Sequence, residues 1–295
     1  MPLPSPDDWR AAGRTFRFRG HEVFVRIDGH GPMLLLIHGF PTAGWDWCRL
    51  WPQLARRFTL VAPDLLGFGF SAKPPHHDYR IAEQAELCLA ALAEAGAGAG
   101  EACVLAHDYG DTVAQELLAR VIDGQCPVRL RSVVLLNGGL FPETHRPVLV
   151  QRLLRSPLGP LVARLMSRDG LAATMRRIFG HETPPDEADI DAFWTLLSRD
   201  QGQHAMPRLI RYIDERREHR ERWVGALQRT PVPLLLIDGT ADPVSGAHMV
   251  TRFRELVPAA PVVELPGIGH YPQIEAPADV LAAVLDAHRA ASSAT

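Results

Sequence analysis

Cysteine is scarce: the four in 295 residues, Cys48, Cys88, Cys103 and Cys126, form no C-x-x-C and no ligand pair. Such spacing argues against a disulfide scaffold or a zinc site and suits a reducing compartment. No apolar run approaches the roughly 20 residues that span a bilayer. An excess of one charge is also missing. The formal net charge is -3, which leaves no electrostatic footprint for nucleic acid or an anionic membrane. The start, Met1-Pro2-Leu3-Pro4-Ser5-Pro6-Asp7-Asp8, is rich in proline and acid, unlike a signal peptide. With 46% hydrophobic and 22% charged residues, the chain reads as globular. The expectation is a soluble cytoplasmic protein that binds neither nucleic acid nor metal, with a homodimer left open.

What is present is an alternation. A hairpin over Phe16–Ile27 leads into continuous apolar runs at Met33–Ile37 and Phe58–Ala62, as strands buried on both faces require. A helix over Ile81–Ala95 ends in a glycine stretch. Its G-x-G follows a helix, not a strand, and so is no dinucleotide loop. Further strands read at Ala102–Ala106, Arg131–Leu136, Val232–Ile237 and Val262–Leu265, with helices at Thr112–Ile122 and Pro277–Ala290. The fold class expected is α/β, a doubly wound and mostly parallel sheet. Between Gly138 and Gly225 strand-like runs vanish and short helices are broken at prolines. The expected organisation is a core of residues 1–137 and 226–295, interrupted by a helical cap over 138–225.

Chemistry gathers at the strand exits, where parallel sheets carry their functional loops. Asp108 follows a strand, precedes a helix and is flanked two positions away by Ala106 and Gly110. This is the spacing of a nucleophile elbow with aspartate in place of serine. After the strand ending at Ile237 comes Asp242, and after Leu265 comes His270 among glycines. The order Asp108, Asp242, His270 is that of the α/β-hydrolases. The backbone N–H groups of Phe40 and Tyr109 then form the candidate oxyanion hole.

The whole chain resembles the α/β-hydrolase superfamily, in its epoxide hydrolase and haloalkane dehalogenase branch, through His38-Gly39-Phe40-Pro41 and His107-Asp108-Tyr109-Gly110. Within that branch it is most similar to the mesoderm-specific transcript family. The stretches that carry this are His107–Asp111, Asn137–Pro147, Arg222–Leu227 and His270–Gln273. The resemblance implies a capped hydrolase fold and leaves the substrate open.

An aspartate nucleophile selects an sp3 electrophile, because the alkyl ester it forms can be hydrolysed. His270, oriented by Asp242, would activate the water. Phe40 before Pro41 follows the epoxide hydrolase pattern, and Tyr212 resembles the second cap tyrosine of those enzymes. Its usual partner tyrosine is not evident. Tyr109 and Phe40 depart from the halide-binding pattern, though Trp194 offers an indole donor. The mixed-charge stretch Arg208–Arg222 reads as a solvated helix face. The reading is a cofactor-independent hydrolase of a small apolar epoxide, using only substrate and water. Its rivals are a haloalkane dehalogenase and a non-catalytic ligand-binding protein of the same fold.

Overall fold

The computed structural model describes residues 3–293. A short helix, α1 (Pro6–Ala11), opens the chain. Its Ser5 cap and Asp8 form a capping box, a local helix signal within the proline-rich, acidic start. Eight strands follow: β1 (Arg14–Phe18), β2 (His21–Gly29), β3 (Met33–Ile37), β4 (Thr59–Pro63), β5 (Glu101–His107), β6 (Arg129–Leu136), β7 (Leu234–Gly239) and β8 (Val262–Leu265). They form one sheet in the order β1-β2-β4-β3-β5-β6-β7-β8. The first hairpin is antiparallel and joins β4 antiparallel; every other neighbour is parallel.

The apolar runs are explained by two-sided burial. In β3, Leu35 and Ile37 enter one core cluster while Leu34 and Leu36 enter the other. The principal helices covering the sheet are α2 (Ile81–Glu94), α3 (Tyr109–Ile122), α10 (Ala247–Leu256) and α11 (Pro277–Ser293). Helix α3 starts at Tyr109, three residues before the sequence pattern shows it, because its first turn grows directly from the bend at Asp108. Helix α10 had no expectation attached to it. From β3 the chain moves outward to β4, and then returns to place β5 on the other side of β3. That reversal makes the carboxyl ends of β3 and β5 the place where an open sheet leaves a crevice.

Between β6 and β7 no strand intervenes. The chain forms α4 (Leu149–Leu154), α5 (Gly159–Leu165), α6 (Arg168–Ile178), α7 (Glu187–Ser198), α8 (Tyr212–Glu218) and α9 (Arg220–Arg229), with shorter turns between α7 and α8. Among the described residues, no helix is long and apolar enough to cross a membrane. One buried carboxylate locks the end of this insertion to helix α3. Glu116 of α3 accepts from Trp223 Nε1 at 2.9 Å, Arg222 Nε at 2.8 Å and Arg120 Nε at 3.0 Å. Burial works against its charge, but these donors hold its pKa below the usual value.

Glu116→Ala leaves the indole N–H of Trp223 without its acceptor and is expected to cost about 2 kcal/mol of stability in urea titrations at neutral pH. A carboxyl held low stabilises the fold above its unfolded pKa. The loss should therefore shrink as pH falls below the unperturbed 4.5.

Candidate active site

Glycine decides where the site forms. A Cβ on Gly110 would lie 2.3 Å from the Ile37 carbonyl oxygen, and one on Gly39 would lie 2.6 Å from His107 Nδ1. Without those atoms, the exit of β3 packs directly against the bend after β5. Asp108 sits at that bend with φ 47° and ψ -101°, a backbone geometry costing about 1–3 kcal/mol for a non-glycine residue. Its own N–H donates to the Leu136 carbonyl at 3.1 Å. The Phe40 N–H donates to Asp108 Oδ2 at 3.0 Å. Tyr109 is the first residue of α3, so its N–H belongs to the helix end whose donors have no partner within the helix.

Asp242 follows β7 in a tight loop. Its Oδ1 accepts the Val244 N–H at 2.7 Å, and its Oδ2 accepts Ser245 Oγ at 2.8 Å and Asn137 Nδ2 at 3.1 Å. The same Oδ2 accepts His270 Nδ1 at 2.7 Å. Burial opposes the charge of Asp242, yet His270 and these donors bring its pKa below the ordinary value. His270 is fixed from both backbone sides: its N–H donates to Ile178 at 2.9 Å, and its carbonyl accepts His107 Nε2 at 2.7 Å. Burial disfavours a charged imidazole here, but Asp242 first and Asp108 second push it up to about 9. With Nδ1 committed to Asp242, Nε2 is the nitrogen left for chemistry.

Burial acts differently on the neighbouring groups. Asp111 and Asp238 have pKa values raised well above the ordinary aspartate value, each by burial first and then by the charge of Asp108 or Asp242 respectively. His38 is pushed down to about 4 by burial. Its Nδ1 donates to Gly39 and its Nε2 accepts the Leu65 N–H, each at a normal distance.

The helical insertion closes the site from above. Tyr212 is buried, its ring centroid 4.8 Å from that of Tyr109 and 6.2 Å from that of Phe40. Its hydroxyl makes no hydrogen bond of ordinary geometry, and burial, followed by the charge of Asp108, pushes its pKa up. Arg216 corrects the reading of Arg208–Arg222 as a solvated face. Only 2% exposed, it donates from Nε to Thr112 Oγ1 at 2.7 Å and from Nη2 to the Asp108 carbonyl at 3.2 Å. Nη2 lies 4.0 Å from Asp108 Oδ1, and the guanidinium covers the Tyr212 ring at 4.5 Å. Its Nη1 is buried without a partner.

A signal for Arg216 existed. It stands four residues after Tyr212, so one helix face carries both. Its charged neighbours hid it. His145, also passed over, has both ring nitrogens buried and unpartnered beside Arg216; burial first and that positive charge second push it down to about 3. Trp194 is not brought to the site. It is partly exposed and packs against the second core cluster.

An adjoining cavity, about 320 Å3, has Phe40 and His270 in its wall and apolar side chains of the insertion around them, including Leu154, Met166, Leu171 and Met175. Residues 34–284 match the profile of the alpha/beta hydrolase family. The chain belongs to that family. As a member it is similar to LipZ of Mycobacterium tuberculosis, 44% identical over 278 residues that cover 94% of this chain and 96% of LipZ. It is also similar to the mesoderm-specific transcript homolog protein of Homo sapiens, 38% identical over 292 residues, 96% of this chain and 87% of that one. Among solved structures, a haloalkane dehalogenase DbeA-M1 loop variant from Bradyrhizobium elkanii superposes with TM-score 0.76 at 22% identity, covering 96% and 97% of the two chains. The epoxide hydrolase CorEH superposes with TM-score 0.75 at 19% identity, covering 93% and 97%. At such identities the superpositions speak for the shared fold.

The Asp242–His270 pair gives a pH-dependent stability. A histidine whose pKa is raised from 6.5 to about 9 stabilises the fold fully below 6.5 and loses that contribution as pH rises through about 9. Thermal denaturation midpoints of the wild type and His270→Gln should accordingly converge between these two pH values. A constant gap across that range would contradict the pairing.

Proposed function

We propose that this α/β-hydrolase opens small apolar epoxides through a covalent ester on Asp108, with the helices over 138–225 acting as the cap of the site. The observation that carries this reading is a buried phenol, Tyr212, whose hydroxyl makes no hydrogen bond of ordinary geometry and interacts with Asp108, the candidate nucleophile. An epoxide needs an acid at its oxygen as the C–O bond breaks, and a phenol held neutral can supply it.

In the first half-reaction a carboxylate oxygen of Asp108 attacks an epoxide carbon. The ring C–O bond breaks, and Tyr212 gives its proton to the alkoxide. Arg216, over the Tyr212 ring, offsets the negative charge that this leaves. In the second, His270 Nε2 takes a proton from water, which attacks the ester carbonyl. The N–H groups of Phe40 and Tyr109 hold the oxyanion, a stabilisation of about 3 kcal/mol per donor in comparable sites. Collapse expels the diol, protonated by His270. The proton released as Asp108 returns to its carboxylate restores the phenol. Asp108's charge helps to hold the proton on His270. Ester formation removes that charge, which loosens the hold on the proton and favours the neutral imidazole that can act as base.

Halide displacement is a second reading, supported by the unpaired, buried Nη1 of Arg216 as a halide donor in place of Trp194.

Turnover of an epoxide panel and a haloalkane panel in 18O-labelled water separates the two. Styrene oxide hydrolysis without halide release is the expected result, and the reverse pattern overturns the ranking. His270→Gln should accumulate a peptide containing Asp108 that is heavier by the alkyl group. Tyr212→Phe should slow epoxide opening by about 10² to 10⁴-fold while sparing hydrolysis of an ester already formed. Equal losses in both steps would remove Tyr212 from the role of acid.

A further inference from the structure

Two short helices of the insertion repeat a pentapeptide, Leu149-Val150-Gln151-Arg152-Leu153 in α4 and Leu161-Val162-Ala163-Arg164-Leu165 in α5. In each, the leucines stand four apart with the arginine three after the first, so the three share a helix face. The other face is the buried one, through Gln151 and Leu154 in α4 and Ala163 in α5. The outward leucines are left in solvent: Leu149 is 66% exposed, Leu161 54% and Leu165 74%, with Leu158 between the helices at 59%. Five of the seven exposed large hydrophobic side chains of the described residues fall in this one hairpin; Leu3 and Ile122 lie elsewhere. Contiguous apolar surface of this kind marks an interaction site.

Charge names the partner. From Thr144 to Arg168 the chain carries five arginines and no acidic residue. Arg155 is paired with Asp214, and Arg168 with Glu187 and Asp191. Arg152 and Arg164, the exposed arginines of the two repeats, have no acidic partner among the described residues. A basic and apolar helical face without acids fits the interface of an anionic bilayer. A second copy of the chain fits poorly, because a two-fold contact would set these arginines against their equivalents. The face is also continuous with the cavity. Leu165 belongs to both the exposed patch and the cavity wall, so the cavity mouth opens on this surface.

We propose that the α4–α5 hairpin seats on an anionic lipid surface, which places the cavity mouth where apolar substrates concentrate. The expectation of no anionic-membrane footprint came from a net charge of -3, and that sum conceals a local basic surface.

Flotation of the full chain with vesicles tests this without reading turnover, so it stands or falls separately from the chemistry assigned to Asp108. Vesicles of phosphatidylcholine mixed with phosphatidylglycerol should bind the protein, and raised salt should weaken the binding. Arg152→Glu with Arg164→Glu should reduce the partition coefficient by about twenty-five-fold or more, at about fivefold per arginine removed from the surface. Leu158→Ser with Leu161→Ser should reduce it while leaving the thermal midpoint and the turnover of a soluble substrate unchanged. Failure to bind any vesicle, or equal binding by wild type and both variants, overturns the proposal. So does a dimer in sedimentation that the leucine variant abolishes without any vesicle binding, which assigns the face to a second copy.

Discussion

The candidate site at the carboxyl end of the sheet depends on one steric allowance, the missing Cβ atoms of Gly39 and Gly110. They let the exit of β3 meet the bend after β5 at distances no other residue permits. That contact brings the Phe40 N–H to Asp108 Oδ2 at 3.0 Å and holds Asp108 at a positive φ. Strain of that kind persists only where the surroundings over-determine the backbone. Here they do: Leu136 accepts the Asp108 N–H, and Arg216 donates to the Asp108 carbonyl. The bend is thus held from the sheet on one side and from the helical insertion on the other.

Electrostatics sorts chemically identical side chains into different states. Asp242 gathers backbone, hydroxyl, amide and imidazole donors and is held low, whereas Asp238, four residues earlier, has both oxygens buried without a partner and is raised. Histidines divide in the same way. His270 faces two carboxylates and is pushed up to about 9, while His145 faces Arg216 and falls to about 3. In each case burial disfavours charge, and the presence or absence of a compensating neighbour decides the outcome.

The helical insertion works on two faces. Its inner surface contributes Tyr212, Arg216 and the apolar cavity wall, and its outer surface carries the repeated leucines and arginines. Short helices with proline breaks suit that double duty, since neither α4 nor α5 is long enough to be stable except by packing its inner face. Arg216 shows how the insertion and the core depend on each other. Its Nε bond to Thr112 of α3 ties the residue beneath Tyr212 to the helix that grows from the elbow.

Much of the architecture was legible because strands buried on both faces must be apolar throughout: β3 and β8 coincide with the expected runs, and the others differ by a few residues at their ends. Helix α1 was missed although its capping box is local and readable. The candidate positions Asp108, Asp242 and His270 stood out because a glycine-flanked turn and a strand exit leave local marks. Arg216 left only its four-residue spacing from Tyr212, which its charged neighbours mask, and His145 left no such mark. Their burial beside Asp108 results from how α8 and the Asn137–Pro147 segment fold over the elbow, across separations of about a hundred residues or less. Trp194 erred the other way: a suitable donor by type, it is packed elsewhere. Sequence by itself determined the alternation, the elbow and the order of its partners, because these rest on short-range sterics. Only tertiary structure decided which charges lie out of water and which neighbours compensate them, because desolvation and Coulomb interactions act through space and not along the chain.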